Sequence, residues 1–328
     1  MTGGDLTLGN GTAGYTGLRQ HAAWLDLSAR GKIRVTGEDR ARLLHAMTTN
    51  QVEKLKPGEG CYAFFLNAQG RILGDVNLFC FEDYFLLDTE PETHHKLFEH
   101  LDRYIIADDV TIEDQTERTC TIAVEGPEAR AMLTNLGAPI PESPYWTAYF
   151  EIGTADPGQA MTIVAGVSST GSDGYFLIAP VEHKAELIAR LTEAGAVAAT
   201  SEDGRVVRLE HGVPRYGDEI TERYLVQETG QMQAVSFTKG CYLGQEIVER
   251  VRSRAQIHRV LRRVEIDSAT VPDAGAALKS GEAPAGEIVS AVFSPELGKI
   301  VALAYVRTPF AEPGTEISLG DTVARVKG

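Results

Sequence analysis

The stretch CYAFFLNAQGRILGDVNLFCF, residues 61–81, carries the reading of the fold. Two apolar segments, Cys61 to Leu66 and Ile72 to Phe81, flank Asn67, Ala68, Gln69 and Gly70. An Asn/Gly-rich turn between apolar runs predicts a β-hairpin. Tyr84 to Leu87 adds a third strand. Upstream, Ile33-Arg34-Val35 alternates and leads into a helix from about Asp39 to Met47, with Leu43, Leu44 and Met47 on one face. Lys56 to Gly60 is a turn, and Pro91 to Tyr104 reads as a helix with Leu97, Phe98 and Leu101 inward. The order then partly recurs. Thr121 to Val124 is a strand, Gly126-Pro127-Glu128 opens a helix, Met161 to Val164 and Tyr175 to Ile178 are strands, and Glu182 to Ala194 is an amphipathic helix. This order predicts an α+β fold of antiparallel sheets covered by helices. From Arg259 onward, short strands alternate with Pro/Gly turns, which predicts a small all-β domain, a barrel.

Bulk properties narrow the function. The chain has 328 residues, enough for two or three domains, and 43% hydrophobic and 23% charged residues, as in globular proteins. A formal charge of -15 repels phosphate backbones, so direct nucleic-acid binding is not expected. Against that background Arg250, Arg252, Arg254, His258, Arg259, Arg262 and Arg263 cluster at the domain junction. They are either a local anion site or a face opposed by carboxylates. The glycines Gly3, Gly4, Gly9, Gly11 and Gly14 predict a flexible start. No basic-then-apolar signal, no Arg-rich transit pattern and no bilayer-length apolar stretch is present, so a cytoplasmic, membrane-free protein is expected.

Of the four cysteines, none form a C-x-x-C pair, and Cys61, Cys80 and Cys120 lie in apolar runs. Reduced thiols and no metal site are expected. Cys241 differs: Gly240 and Gly244 flank it, Lys239 precedes it, and Gln245-Glu246 follow. A nearby ammonium and a helix starting at Gln245 would favour a thiolate. The alternative is a structural cysteine in a turn. Asp75 is an acid inside an apolar strand, and strict alternation puts it on one face with Leu73, Asn77 and Phe79. Such a face suits a heterocycle pocket. The alternative is a wet edge strand. Glu210, before Gly212 and Pro214, could hold an N–C–N edge in bidentate fashion, or could pair with Arg208 or Arg215.

Together these segments resemble a known family. Lys239-Gly240-Cys241-Tyr242-Leu243-Gly244-Gln245-Glu246, preceded by Ser236-Phe237, resembles the signature of the YgfZ family of folate-binding iron–sulfur cluster assembly proteins. That family shares the fold of the glycine-cleavage T-protein, an aminomethyltransferase. Val35-x-Gly37-x-Asp39, Thr49-Asn50-Gln51-Val52, Lys56-Pro57-Gly58 and Leu209-Glu210-x-Gly212-x-Pro214 resemble the wider superfamily. The resemblance implies three domains around a central folate pocket: an α+β region over 15–258, made of two intertwined domains with a boundary near 115–125, and a β-barrel over 259–328. It implies Asp75 as the folate acid and Glu210 as the pterin-binding Glu. Asp88 falls where the T-protein has a folate-binding Asn, and Ser168 to Gly174 replaces a loop that carries a Tyr there. Gly240, Gly244, Gln245 and Arg252 would complete the cofactor contacts, with Cys241, Lys239 and Asp75 as the reacting groups.

The resemblance implies tetrahydrofolate, or a one-carbon-substituted form, as cofactor. Its main functional implication is a folate-dependent role in iron–sulfur cluster synthesis or repair, with cluster enzymes, including tRNA-modifying ones, as partners of a monomeric protein. A tetrahydrofolate-dependent aminomethyltransferase or demethylase is the enzymatic alternative. A folate-sensing scaffold without chemistry is the third.

Overall fold

The computed structural model describes residues 11–151, 161–254 and 257–327. The expected flexible start falls largely on residues 1–10, outside the described residues. Gly14, however, lies in a helix, α1 (Ala13–Gln20). The Thr12 hydroxyl caps it by accepting from Tyr15 N at 3.0 Å. A Cβ on Gly14 would stand 2.6 Å from the Ala199 Cα, so this glycine permits close helix packing.

The first half alternates between two sheets. β1 (Ala23–Asp26) belongs to the second, and β2 (Gly31–Thr36) opens the first. Then come α2 (Arg40–Met47), the hairpin β3 (Gly60–Leu66) and β4 (Ile72–Cys80), β5 (Phe85–Thr89), α3 (His94–Tyr104) and β6 (Thr111–Asp114). The first sheet has the order β3-β4-β5-β2-β6. Its hairpin is pinned by Asn67 Oδ1, which accepts from Gln69 N and Arg71 N. The alternation expected from Leu73 to Phe79 breaks at its start. The register shifts between Phe65 and Leu66, and Leu73 packs with the helix-covered core around Leu44 and Leu97. Asp75, Asn77 and Phe79 keep the opposite face. A bulge re-aims one side chain in this way without disturbing the rest of the strand.

The second sheet takes β7 (Thr119–Glu125), β8 (Thr147–Glu151), β9 (Met161–Ala165), β10 (Gly174–Pro180) and β11 (Val197–Ala198), in the order β11-β1-β7-β10-β9-β8. Helices α4 (Ala129–Asn135) and α5 (Lys184–Glu193) cover one side. Its other side meets the first sheet: Phe79, Phe81 and Leu86 share a core with Phe176, Ala165 and Val207. Helix α6 (Ser201–His211) packs on α1 and carries a Thr200/Asp203 capping box. A loop and α7 (Gln245–Arg254) lead to β12 (Arg259–Ile266), β13 (Ala277–Ser280), β14 (Ala283–Ser294), β15 (Lys299–Arg307), β16 (Glu316–Leu319) and β17 (Thr322–Val326). These six close into a barrel around Val264, Ile288, Ala302 and Ile317.

Replacing Gly14 by Val should destabilise the protein by about 2 kcal/mol through overpacking against Ala199. Urea denaturation of Gly14→Val, with an unchanged midpoint as the contrary result, checks the α1–α6 contact.

Candidate functional site

One row of residues runs across the first sheet on the face turned to the second. In the strand register Tyr62 pairs with Asn77, Asn77 with Asp88, and Asp88 with Lys32. Asp88 is fully buried and receives Lys32 Nζ at 2.8 Å, Arg30 Nη2 at 2.7 Å and Asn77 Nδ2 at 2.8 Å. Burial pushes its carboxyl up, but the Arg30 and Lys32 charges overcome this and hold it far below the usual carboxylate range. Arg30 also pairs with Glu90, and its guanidinium lies 5.5 Å from the Phe176 ring centroid on the second sheet. Glu90 in turn receives Arg215 Nε at 2.9 Å.

Asp75 stands beside this cluster with one partner. Tyr62 Oη donates to its Oδ2 at 2.7 Å, while Oδ1 is buried and accepts nothing. The side chain is 8% exposed. Burial, and then the Glu90 charge, push its pKa up to about 6, against the Tyr62 hydrogen bond and the Arg30 charge. A carboxyl so placed can exchange a proton near neutral pH and can accept an N–H from a ligand. Thr89 Oγ1 donates to the Asp75 main-chain oxygen at 2.6 Å and fixes the strand there.

Glu210 lies near the C-terminus of α6 and takes neither arginine expected of it. Arg208 binds Glu219 at 2.6 Å and Asp218 at 3.0 Å, and Arg215 binds Glu90 and Glu92. Glu210 Oε1 instead accepts from Tyr15 Oη at 2.7 Å and Ser294 Oγ at 2.6 Å, which joins α1, α6 and the barrel. Its Oε2 forms no hydrogen bond, and Arg19 Nε is 3.4 Å away. Asp75 and Glu210 share no polar partner. The loop Ser168 to Gly174 wraps the buried Glu125, whose carboxylate accepts from Ser168, Ser169 and Thr170.

The Cys241 loop docks on the first sheet. Ser236 N donates to Thr49 O and Leu243 N to Ala46 O, both at 3.0 Å. Gly244 has φ +82°, and a Cβ there would stand 2.6 Å from Asn67 O, so only glycine fits against the hairpin turn. Gln245 opens α7, and its Oε1 lies 3.4 Å from Tyr242 N. Cys241 itself is exposed, as is Gly240. Lys239 does not serve this thiol. It is 8% exposed, and its Nζ donates to His45 O at 2.5 Å and Thr48 O at 2.6 Å, closing the C-terminal end of α2. Burial pushes its ammonium down to about 8, against the opposing influence of Cys61 and Glu53. Burial of Cys61 pushes that thiol up to about 12.

Three members of the arginine-rich stretch have carboxylate partners among the described residues, while Arg262 binds the Ala311 carbonyl. Arg259 pairs with Glu228, Arg263 with Glu265 and Arg252 with Glu249, and Arg252 also lies 4.2 Å over the Phe237 ring.

This architecture has known relatives. The model of the GCVT N-terminal domain matches residues 12–239, and that of the glycine cleavage T-protein C-terminal barrel domain matches residues 259–326. The chain belongs to the T-protein family. An aminomethyltransferase of Rubrobacter xylanophilus is 30% identical over 93% of this chain and 81% of its own length. One of Streptomyces coelicolor is 29% identical over 96% and 87%. A putative chloroplastic transferase of Arabidopsis thaliana is 28% identical over 92% and 69%. The crystal structure of the glycine cleavage system aminomethyltransferase T from Bartonella henselae superposes with a TM-score of 0.85 at 22% identity, over 96% of this chain and 87% of that one. The fold is therefore the T-protein fold with a closed C-terminal barrel.

Sequence reasoning passed over Tyr62, Arg30 and Glu90 in this T-protein family member. Tyr62 was within reach: the hairpin register puts it diagonally across from Asp75 on the same face. Arg30 and Glu90 lie just outside the strands, where no periodicity marks them.

Asp75 titrates higher in the fold than its unfolded value near 3.9. The fold therefore binds that proton more tightly, and stability is lost as pH rises from about 4 through about 6. Asp75→Asn removes this loss. Its melting temperature relative to the parent should climb by a few degrees between about pH 4 and about pH 8; a pH-independent difference counts against the raised value.

Proposed function

We propose that this T-protein family member binds a reduced folate, tetrahydrofolate or a one-carbon-substituted form, with Asp75 as the acid that meets the cofactor's N–H groups. The observation that carries this reading is the buried Asp75 Oδ1 without a partner, beside an Oδ2 already fixed by Tyr62. A buried acceptor left open costs stability and is kept where a ligand completes it. Glu210, with one oxygen likewise free of hydrogen bonds, is the second contact. Asp88 is not: Arg30, Lys32 and Asn77 already occupy it. Its part is to hold the sheet that presents Asp75.

The names of the relatives favour transfer of an aminomethyl-type one-carbon unit to the folate. Asp75 would then hold the accepting nitrogen in line with the donor and, at a pKa near neutrality, take up or return the proton that transfer displaces. The exposed Cys241 favours a second reading, the folate-dependent role in iron–sulfur cluster synthesis or repair that the YgfZ likeness implies. One thiolate cannot hold a cluster, so its contact with one would be transient or shared with a partner protein.

Calorimetric titration with 5-formyltetrahydrofolate tests the common claim. The parent should bind, and Asp75→Ala should bind at least about tenfold more weakly; equal affinity for the two would sink Asp75 as the folate acid. Tetrahydrofolate-dependent ammonia release from an aminomethyl donor separates the two uses, since only the transferase reading expects it. Cys241→Ala should fail to restore iron–sulfur enzyme activity in a strain lacking the protein if the second reading holds, and full rescue removes the thiol from it.

A further inference from the structure

Tyr145 is the one non-glycine among the described residues with a left-handed backbone, at φ +65°. A bulky aromatic residue rarely adopts this conformation, and such strain persists where surrounding contacts hold it. The contacts are visible. Tyr145 N donates to Gly166 O at 2.8 Å, and Gly166 N donates to Trp146 O at 2.9 Å, which extends the β8–β9 pairing. Thr147 N donates to Gly58 O at 2.8 Å, so the edge of the second sheet is tied to the chain entering β3. The Tyr145 carbonyl passes so close to β3 that a Cβ on Gly60 would stand 2.4 Å from it.

This backbone lays the Tyr145 ring nearly parallel to Tyr62, with centroids 6.2 Å apart and 15° between planes. Phe64 meets Tyr62 edge-on at 5.4 Å. Such aromatic contacts restrict a ring's rotation and its lateral play. Tyr62 is the residue whose hydroxyl holds Asp75.

We propose that Tyr145 is a positioning residue: its left-handed backbone clamps the Tyr62 ring against Phe64, so that the Tyr62 hydroxyl aims the open oxygen of Asp75 at the ligand. The inference rests on the folate reading for its purpose but not for its geometry. It assigns the strain at Tyr145 to function, and it makes the seam between the two sheets part of the binding apparatus. The positioning falls to the ring; the Tyr145 hydroxyl feels the Asp75 charge, and the test separates the two.

The test uses Tyr145→Gly, which keeps the left-handed backbone without strain and removes the ring, and Tyr145→Phe, which keeps the ring. Tyr145→Asn, tolerant of the same backbone, guards against an effect peculiar to glycine. The first readout is the carboxyl titration of Asp75 in the ligand-free protein, by carbon NMR on 13C-aspartate-labelled samples with Asp75→Asn as the assignment control. Tyr145→Gly and Tyr145→Asn should raise the Asp75 pKa by about 0.5 or more, because a loosened Tyr62 no longer favours the carboxylate. Tyr62→Phe should do the same, and adding it to Tyr145→Gly should raise the value little further. Tyr145→Phe should titrate like the parent. The second readout is 5-formyltetrahydrofolate affinity, which should fall about tenfold in Tyr145→Gly and not in Tyr145→Phe. An unchanged Asp75 titration in folded Tyr145→Gly and Tyr145→Asn overturns the proposal. Shifted titrations in these variants, with a parent that binds no folate, uphold the clamp and overturn the folate reading instead.

Discussion

The ion cluster of Arg30, Lys32 and Asp88 is the constraint on which the rest depends. Its three charges are buried between two sheets, with Asp88 and Lys32 almost wholly shielded from water. A buried charge without its partner costs several kcal/mol, so each member fixes the other two. Lys32 and Asp88 sit on paired strands of the first sheet. Arg30 sits on the chain that has just left the second sheet, over Phe176. The cluster thus sets the distance between the sheets and the level at which β4 presents Asp75. Glu90 and Arg215 carry the same network on toward the segment after α6.

Asp75 is the member of this face that the network leaves unfinished. Its neighbours are saturated: Asp88 by two cations and an amide, Glu90 by two arginines. Among the described acids of this face, Asp75 alone keeps a shielded oxygen with no cation and no hydrogen bond. A single phenol, that of Tyr62, holds this carboxylate through its other oxygen. The Cys241 loop makes a contrasting arrangement. The chain around the thiol is tied down at three points, by Lys239 on the α2 carbonyls, by Gly244 on the hairpin turn and by Leu243 on Ala46, while the sulfur itself is exposed.

Much of the scaffold was legible from local pattern. The hairpin around Asn67 to Gly70, the helices after Asp39 and before Tyr104, and the barrel after Arg259 each follow from turn residues and periodicity. Helix α1 was not legible, because its glycines serve packing, Gly14 against Ala199 and Gly17 against Val197, and look like a flexible lead in isolation. The bulge at Leu73 was invisible for a similar reason: strict alternation has no means to mark one extra residue. At the site, Asp75 stood out as an acid among apolar neighbours. Lys239 misled because adjacency along the chain says nothing of where a flexible ammonium turns, and it turned to the free carbonyls of a helix end. Chain order did not show the partners of Glu210 either: Arg208 and Arg215 are near in sequence, but Tyr15, Arg19 and Ser294 come from remote elements.

The most direct measurement is a crystal structure of the protein with a reduced folate bound. The account predicts an N–H of the folate within hydrogen-bonding distance of Asp75 Oδ1, with the Tyr62 bond to Oδ2 intact. A folate seated elsewhere, or one that leaves Asp75 Oδ1 without a partner, would contradict it.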